Sequence, residues 1–399
     1  MKEFLTDKIN NLPASATLAM AAKARELKNK GIDIIGLSLG EPDFNVPEFI
    51  KKAANKAIND NYNSYTPVDG YLDLKEAISN KFFRDNNLNY DTNQIVVSTG
   101  AKQSIANVIQ AMVNPGEEVI LLAPFWVSYS AIVEMAEGVP VVVNSDITTD
   151  FKVSAKNIEE KINAKTKMIV LNSPNNPSGT VYTEKELRNI ATVLEKYPDI
   201  FILSDEIYEH INYGVKHFSF AEIDSMYNRT ITVNGVAKAF AMTGWRIGYA
   251  AGRKDLILAM MKIQGQSTSN PTSISQYAAL AGLNGDRKFL EPCLKAFNER
   301  KNLVVKGLNS IDGISCLMPK GAFYAYPNVS GLIGKKTQNG KSLSNDTEVV
   351  EWILEEAKVA AVPGSAFGLE PYFRVSYATS TEDLKIAIQN LKNSVSELI

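Results

Sequence analysis

A chain of 399 residues with 45% hydrophobic content is long enough to bury a sizeable core in two domains, or in one large domain with a smaller one appended. Its 42 basic and 44 acidic residues are interspersed and leave a formal charge of −2, which excludes a basic stripe for nucleic acid or an anionic membrane. Two cysteines, Cys293 and Cys316, are too few for a disulfide framework, and two histidines, His210 and His217, leave little material for a zinc site.

Residues 1–11 carry Lys2, Glu3, Asp7 and Lys8 with no apolar stretch of signal-peptide length, and no later run is long enough to span a bilayer. A cytoplasmic protein acting on small molecules or protein partners is expected. In chain order, a helix is predicted over residues 18–28 and a strand over 34–39. From residue 95 onwards, short apolar runs rich in β-branched residues alternate with segments of helical period: strands are predicted at 95–97, 118–122, 139–143, 168–171, 200–203 and 230–233. Runs such as IVVS, VILLA and IFILS are apolar at nearly every position, as expected of strands covered on both faces of a largely parallel sheet. Ligand groups then belong at the C-terminal strand ends. After residue 284 the pattern changes to a long helix over 287–309 and strands at 314–318, 323–326, 359–362 and 373–377, which reads as a second, α+β domain that the early strand 34–39 joins. The polar stretch 334–346 reads as a mobile surface loop.

Four segments carry chemistry. Residues 234–250, NGVAKAFAMTGWRIGYA, place Lys238 among small neighbours (Val236, Ala237, Ala239) and Arg246 eight residues on. A lysine so placed is desolvated, which lowers its pKa and frees the amine to attack an aldehyde; the alternative is a solvated loop lysine. Residues 200–210, IFILSDEIYEH, put Asp205 at a strand end and Tyr208 three residues later. That carboxylate is placed to hold a protonated pyridine nitrogen and that phenol to bond a ring oxygen, with a helix N-cap as the alternative for Asp205. Residues 171–180, LNSPNNPSGT, form a rigid turn in which Asn176 is available to donate to a phenolate oxygen, and a plain turn is the default for such a sequence. Residues 97–103, VSTGAKQ, lead from a strand through a small-residue turn into a helix predicted over 104–112, where backbone N–H groups suit a phosphate.

Taken in order, these segments resemble the class I aminotransferases of pyridoxal-phosphate fold type I, in the branch of bacterial aspartate aminotransferases. The likeness runs over nearly the whole chain and includes LSLGEPDF (37–44), YTPVDGYLDLKEAI (65–78), PFWVSY (124–129) and FRVSYATS (373–380). It implies an α/β fold, with a large domain built on a mostly parallel seven-stranded sheet (48–290), a smaller α+β domain (14–47 and 291–399) and an N-terminal arm (1–13). It implies pyridoxal 5′-phosphate held as a Schiff base on Lys238, which then shuttles the proton between the substrate α-carbon and the cofactor C4′. Asp205 would pair with the pyridinium nitrogen, Tyr208 and Asn176 would bind the 3-oxygen, and Trp126 would stack on the ring. Arg246 and the backbone of Gly100, Ala101 and Lys102 would hold the phosphate, with Tyr65 reaching the neighbouring subunit of a homodimer with shared sites. The arginine of the FRVSY motif, Arg374, would grip the substrate α-carboxylate by a two-pronged hydrogen bond, with Gly40 and Asn176 completing that pocket. The segment departs from the commonest pattern in having Gly235 where serine is frequent, and Ala237 before the lysine, which leaves a hydroxyl contact to the phosphate open.

In this branch Lys102, Ser15 and Thr17 receive the distal carboxylate of a dicarboxylic substrate; a helix cap is the competing reading of Ser15 and Thr17. The resemblance thus implies transfer between L-aspartate and 2-oxoglutarate. Prephenate is a second dicarboxylate that some members accept, and Trp126 and Tyr129 leave room for aromatic amino acids. The small domain is expected to close over the substrate about a hinge near residues 41–47. A lyase sharing the fold and the lysine remains a rival reading, to be told apart by its independence of a 2-oxo acid acceptor.

Overall fold

The computed structural model describes residues 4–399, so the first three residues of the arm predicted over 1–13 lie outside the described residues. Twelve strands run along them: β1 (Ile35–Gly36), β2 (Ile95–Ser98), β3 (Glu118–Leu122), β4 (Val139–Val143), β5 (Thr166–Asn172), β6 (Phe201–Asp205), β7 (Thr230–Gly235), β8 (Gly248–Ala251), β9 (Tyr324–Ala325), β10 (Val359–Ala360), β11 (Val362–Pro363) and β12 (Phe373–Ser376).

Seven of these form one sheet in the order β2-β8-β7-β6-β5-β3-β4. Its β7-β6-β5-β3-β4 run is parallel throughout, and β8 is antiparallel to both β2 and β7. The strands are apolar at almost every position because helices cover both faces: β2 and β8 are buried at all four positions, and β7 at all six. On one face lie the helices Leu72–Asn86 and Ser273–Asn284, packed with Ile95, Val97 and Tyr249; on the other lie Ala101–Met112 and Lys254–Ser267, packed with Val96, Val119 and Val233. The helix Glu184–Leu194 starts where Thr183 and Glu186 cap one another reciprocally, and Leu187, Ile190 and Leu194 fill a further core.

The strands outside this sheet make a smaller body. Parallel β1 and β10 form one pair, and β11-β12-β9 an antiparallel three-stranded sheet. Leu37 links the two, donating its N–H to Ala360 O and accepting from Ser376 N. The helices Leu290–Leu308 and Thr381–Ser396 pack on this body through Val304, Leu308, Leu384 and Leu391.

Several sequence expectations are corrected. β8 replaces what reads in the sequence as the tail of the Schiff-base segment. No strand forms at 314–318, where the Asn309 side chain bonds both N and O of Cys316 (2.7 and 2.9 Å) and so occupies groups a ladder partner would need. The strand predicted at 359–362 is two strands, β10 and β11, that serve different sheets. The stretch 334–346 is tied down: Lys336 and Ile399 exchange backbone hydrogen bonds of 2.9 Å, Gly334 N–H donates to Leu343 O, and Leu343 and Asp346 are fully buried. Two helices begin earlier than predicted, at Ala16 and Ala101.

Candidate active site

The C-terminal ends of β5, β6 and β7 point the same way and open into one cavity of about 290 Å³, roofed by the small body. Twelve of the predicted site residues line it: Ser15, Thr17, Gly40, Ala101, Lys102, Trp126, Asn176, Asp205, Tyr208, Lys238, Arg246 and Arg374. Gly100 stands just behind the lining, and Tyr65 does not reach it: its side chain points away into solvent at 91% exposure.

Lys238 follows β7 in a chain reversal closed by the Met242 N–H to Ala237 O bond. Its Nζ donates to Gly40 O at 2.7 Å, and no carboxylate stands within ion-pair distance. Burial is the main cause that brings its pKa down to about 8; Arg374 and Arg246 push it the same way, while Glu41 and Asp205 oppose them. Part of the side chain remains open to the cavity.

Asp205 ends β6. Burial pushes its pKa up to about 6, against the pull of a 2.6 Å hydrogen bond from the Tyr129 hydroxyl. Its carboxylate also accepts from Ile207 N at 3.3 Å, so it does act on the backbone that follows, but it starts no helix. Beside it in register on β5 is Asn172, whose Nδ2 donates to Asp205 O (2.9 Å) and whose Oδ1 accepts from Asn176 N (2.8 Å). This amide fixes the turn that carries Asn176.

Arg374, on β12, is 1% exposed. Its Nη1 donates to Asn176 Oδ1 at 2.9 Å, its Nη2 to Ser38 O, and its Nε finds no acceptor. The guanidinium lies 4.6 Å from the Tyr324 ring centroid and 5.0 Å from that of Phe367. A cation buried with no acidic partner is costly unless an anion joins it.

Arg246 adopts a left-handed conformation (φ 57°) and donates through Nη1 to Thr243 O at 2.8 Å. A Cβ on Gly100, the N-cap of Ala101–Met112, would fall 2.3 Å from Arg246 Nη2, so glycine (φ 82°) lets the guanidinium lie over the helix N-terminus. Lys102, exposed at the mouth, stands 4.9 Å over the Trp126 ring. Ser15 occupies the N-cap of Ala16–Asn29 but makes no side-chain capping bond, and Thr17 Oγ1 is buried without a partner. The helix-cap reading therefore leaves both hydroxyls unexplained.

Two lining groups escape sequence reasoning, and a third, Tyr129, is expected there only as an aromatic wall. Tyr324 and Asn172 sit in ordinary apolar strand contexts that give no sign of them. For Tyr129, named beside Trp126 in the PFWVSY motif, the sequence gives no sign of the hydroxyl's bond to Asp205. Four cations and two carboxylates, Glu41 and Asp205, line the cavity, and none of the cations is ion-paired among the described residues. The arrangement is suited to a ligand carrying at least two anionic groups, presented to a nucleophilic amine.

The family model for aminotransferase class I and II matches residues 32–391. A probable aspartate/prephenate aminotransferase of Rickettsia bellii is 49% identical over 396 residues, covering 99% of each chain, and the aspartate aminotransferase of Rhizobium meliloti is 46% identical over 96% of this chain and 94% of its own. Among solved structures, the Rhizobium meliloti aspartate aminotransferase superposes with a TM-score of 0.96 at 45% identity over all of both chains. That of Thermus thermophilus with maleate gives 0.92 at 39% identity, over 98% of this chain and all of its own. The chain belongs to the class I and II aminotransferases.

Proposed function

We propose that this aminotransferase moves the amino group of L-aspartate to 2-oxoglutarate, giving oxaloacetate and L-glutamate, with pyridoxal 5′-phosphate joined to Lys238. The observation that carries the reading is the buried, acid-free Arg374 facing the same cavity as the Lys238 amine.

The residues present fit that cofactor. A phosphate is matched by Arg246, by the glycine-opened N-terminus at Gly100, Ala101 and Lys102, and by the absence of an acid beside them. When bound, the cofactor supplies an aldehyde for the amino group and a ring that accepts electrons. Asp205 is the acid that would hold the ring nitrogen protonated, and a cation there would draw its raised pKa back down. Tyr208 and Asn176 would donate to the ring 3-oxygen, and Trp126 would cover a ring face. Lys238, freed by the substrate amine, would carry the proton between the substrate α-carbon and cofactor C4′.

Arg374, Asn176 and Gly40 would bind the α-carboxylate. Lys102 at the mouth, with Ser15 and the unpartnered hydroxyl of Thr17, would take the distal carboxylate. The names of the Rhizobium and Thermus relatives, and the maleate in the Thermus structure, support a dicarboxylic substrate. Prephenate is a second reading, favoured by the names of the Rickettsia bellii and Cereibacter sphaeroides relatives. Residues 48–290 read as the cofactor domain, 14–47 with 291–399 as the small domain, and 1–13 as an arm. The outward Tyr65 supports a homodimer in which it reaches the partner's phosphate. Two free cysteines agree with a cytoplasmic, reducing setting.

The test is the absorbance of purified, cofactor-loaded protein as aspartate and then 2-oxoglutarate are added, with Lys238→Ala alongside. The long-wavelength band should vanish with aspartate, return with 2-oxoglutarate, and be missing from the variant. A band that an amino donor discharges and that prephenate, rather than 2-oxoglutarate, restores would select the second reading.

A further inference from the structure

Two tyrosines meet in the cavity from the two bodies of the fold. Tyr208 follows β6 of the large sheet, and Tyr324 stands on β9 of the small one; both rings are buried and both line the cavity. Their hydroxyl oxygens are 2.7 Å apart, and neither has another hydrogen-bond partner among the described residues. One proton lies on the line between two such oxygens, so one phenol donates and the other keeps its own proton for another acceptor.

The surroundings decide which is which. The Tyr324 hydroxyl is hemmed in on its outer side by the Gly40 backbone, where a Cβ would come within 2.0 Å of it. The ring of Tyr324 carries the Arg374 guanidinium on its face at 4.6 Å, closer than Lys238 Nζ comes to the Tyr208 ring, 5.8 Å. A cation over the ring face withdraws electron density from the phenol and strengthens it as a donor. Tyr324 lies diagonally across the sheet from Arg374, since β9 and β12 pair Tyr324 with Ser376, two residues further along the strand, and Ala325 with Val375.

We infer that Tyr324 is a positioning residue that donates its hydroxyl proton to Tyr208, so that the Tyr208 proton is turned into the cavity toward the acceptor bound there. A donor chain of this kind polarises along its length, so Tyr208 becomes a stronger donor than a lone tyrosine. The inference rests on the proposal that Tyr208 bonds the cofactor 3-oxygen. There a stronger donor favours the form in which the cofactor-bound Lys238 nitrogen has lost its proton.

The experiment compares holoenzyme, Tyr324→Phe, Tyr208→Phe and the double variant by titrating the long-wavelength band against pH. Tyr324→Phe removes one oxygen and keeps the ring on which Arg374 packs. Its titration midpoint should rise by about half a pH unit, that of Tyr208→Phe by more, and the double variant should match Tyr208→Phe alone. A merely structural role for Tyr324 would add its effect to that of Tyr208→Phe. An additive double variant, or an unmoved Tyr324→Phe, overturns the inference while leaving the cofactor reading intact. A wild-type protein that forms no long-wavelength band with the cofactor overturns both.

Discussion

Lys238 and Asp205 are an amine and a carboxylate that burial pushes toward the neutral range from opposite sides, to about 8 and about 6. For the lysine the direction favours chemistry, because only the uncharged amine attacks an aldehyde. A lysine of ordinary pKa near 10.5 is almost fully charged at pH 8; one brought down to about 8 is half uncharged there. The rate at which cofactor-free protein develops the long-wavelength band on mixing with pyridoxal 5′-phosphate should therefore climb through a midpoint near pH 8 and level off above it. Stopped-flow absorbance between pH 6 and 10 measures this, and a midpoint close to 10 would show that Lys238 is solvated. Much at this scale was legible: the motifs that carry Lys238, Asp205, Tyr208, Asn176, Arg246 and Arg374 stand out in the sequence, and the cavity brings those residues together. Gly235, where serine is frequent, also gains a cause, since a Cβ there would meet Gly248 Cα and Ile247 O at 2.9 Å. What stayed hidden were partners distant in sequence, such as Tyr129 on Asp205 and Tyr324 on Tyr208. Nothing local distinguishes those tyrosines from core aromatics.

At the scale of elements, strands were legible where β-branched residues dominate and illegible where packing sets the choice. β8 opens on Gly248 because a Cβ there would lie 2.1 Å from Ala101 N, so closeness to the helix Ala101–Met112 demands a residue that carries no strand signal. The turn after β6 shows another feature no pattern reveals: Glu206, Glu209 and His217 place three ligand-type atoms within 4.8 Å of one another. The oxygens are already engaged. Glu206 accepts from Ser204, Ser219 and His217 (2.8, 2.7 and 3.0 Å), while Glu209 pairs with Lys81 and accepts from Asn234 and Asn86 (2.7 and 2.9 Å). Lys81 on Glu209 and His217 on Glu206 satisfy both carboxylates with protein groups, so the cluster clamps the segments bearing Asp205 and Lys238. Burial opposes charge on His217, yet Glu206 beside it, by attraction and hydrogen bond, raises its pKa above 6.5. A raised histidine stabilises the fold fully below its unfolded pKa and loses that contribution as pH rises through the folded value. His217→Gln should therefore cost roughly 3 kcal/mol at pH 6, and the gap in thermal midpoint between wild type and variant should narrow steadily toward pH 9. A gap that is constant with pH would mean His217 is neutral in the fold.

Across the whole molecule, contacts between the two bodies converge on the site. Lys238 Nζ bonds Gly40 O, Thr243 Oγ1 donates to Glu41 at 3.0 Å, Arg374 reaches Asn176, and Tyr208 meets Tyr324. Two of these bonds occupy groups that the proposed ligands would claim: a cofactor joined to Lys238 would take it from Gly40 O, and a substrate carboxylate would compete with Asn176 for the Arg374 guanidinium. Binding therefore exchanges contacts between the bodies rather than filling a fixed mould, which is the physical basis for expecting the small body to close over a dicarboxylate. The pivot is narrowed by one ion pair. Arg300, on the helix Leu290–Leu308, grips Asp43 with two bonds of 2.7 and 2.9 Å, so the chain up to Asp43 rides with the small body. The helix Glu48–Asn59 packs through Ile50 and Ala54 in the same core as β2 and β8, so the chain from Glu48 onward rides with the large sheet. Phe44 packs edge-on against Phe297 of the helix Leu290–Leu308, 5.1 Å between ring centroids, with Arg300 over its face, so within residues 41–47 only 45–47 remain to absorb the rotation. Crystals of the holoenzyme with and without maleate should show the small body turned inward in the complex, with the largest backbone dihedral changes confined to 45–47. Identical angles between the bodies would sink the closure, and changes centred before Asp43 would mean that the Arg300 pair does not hold during it.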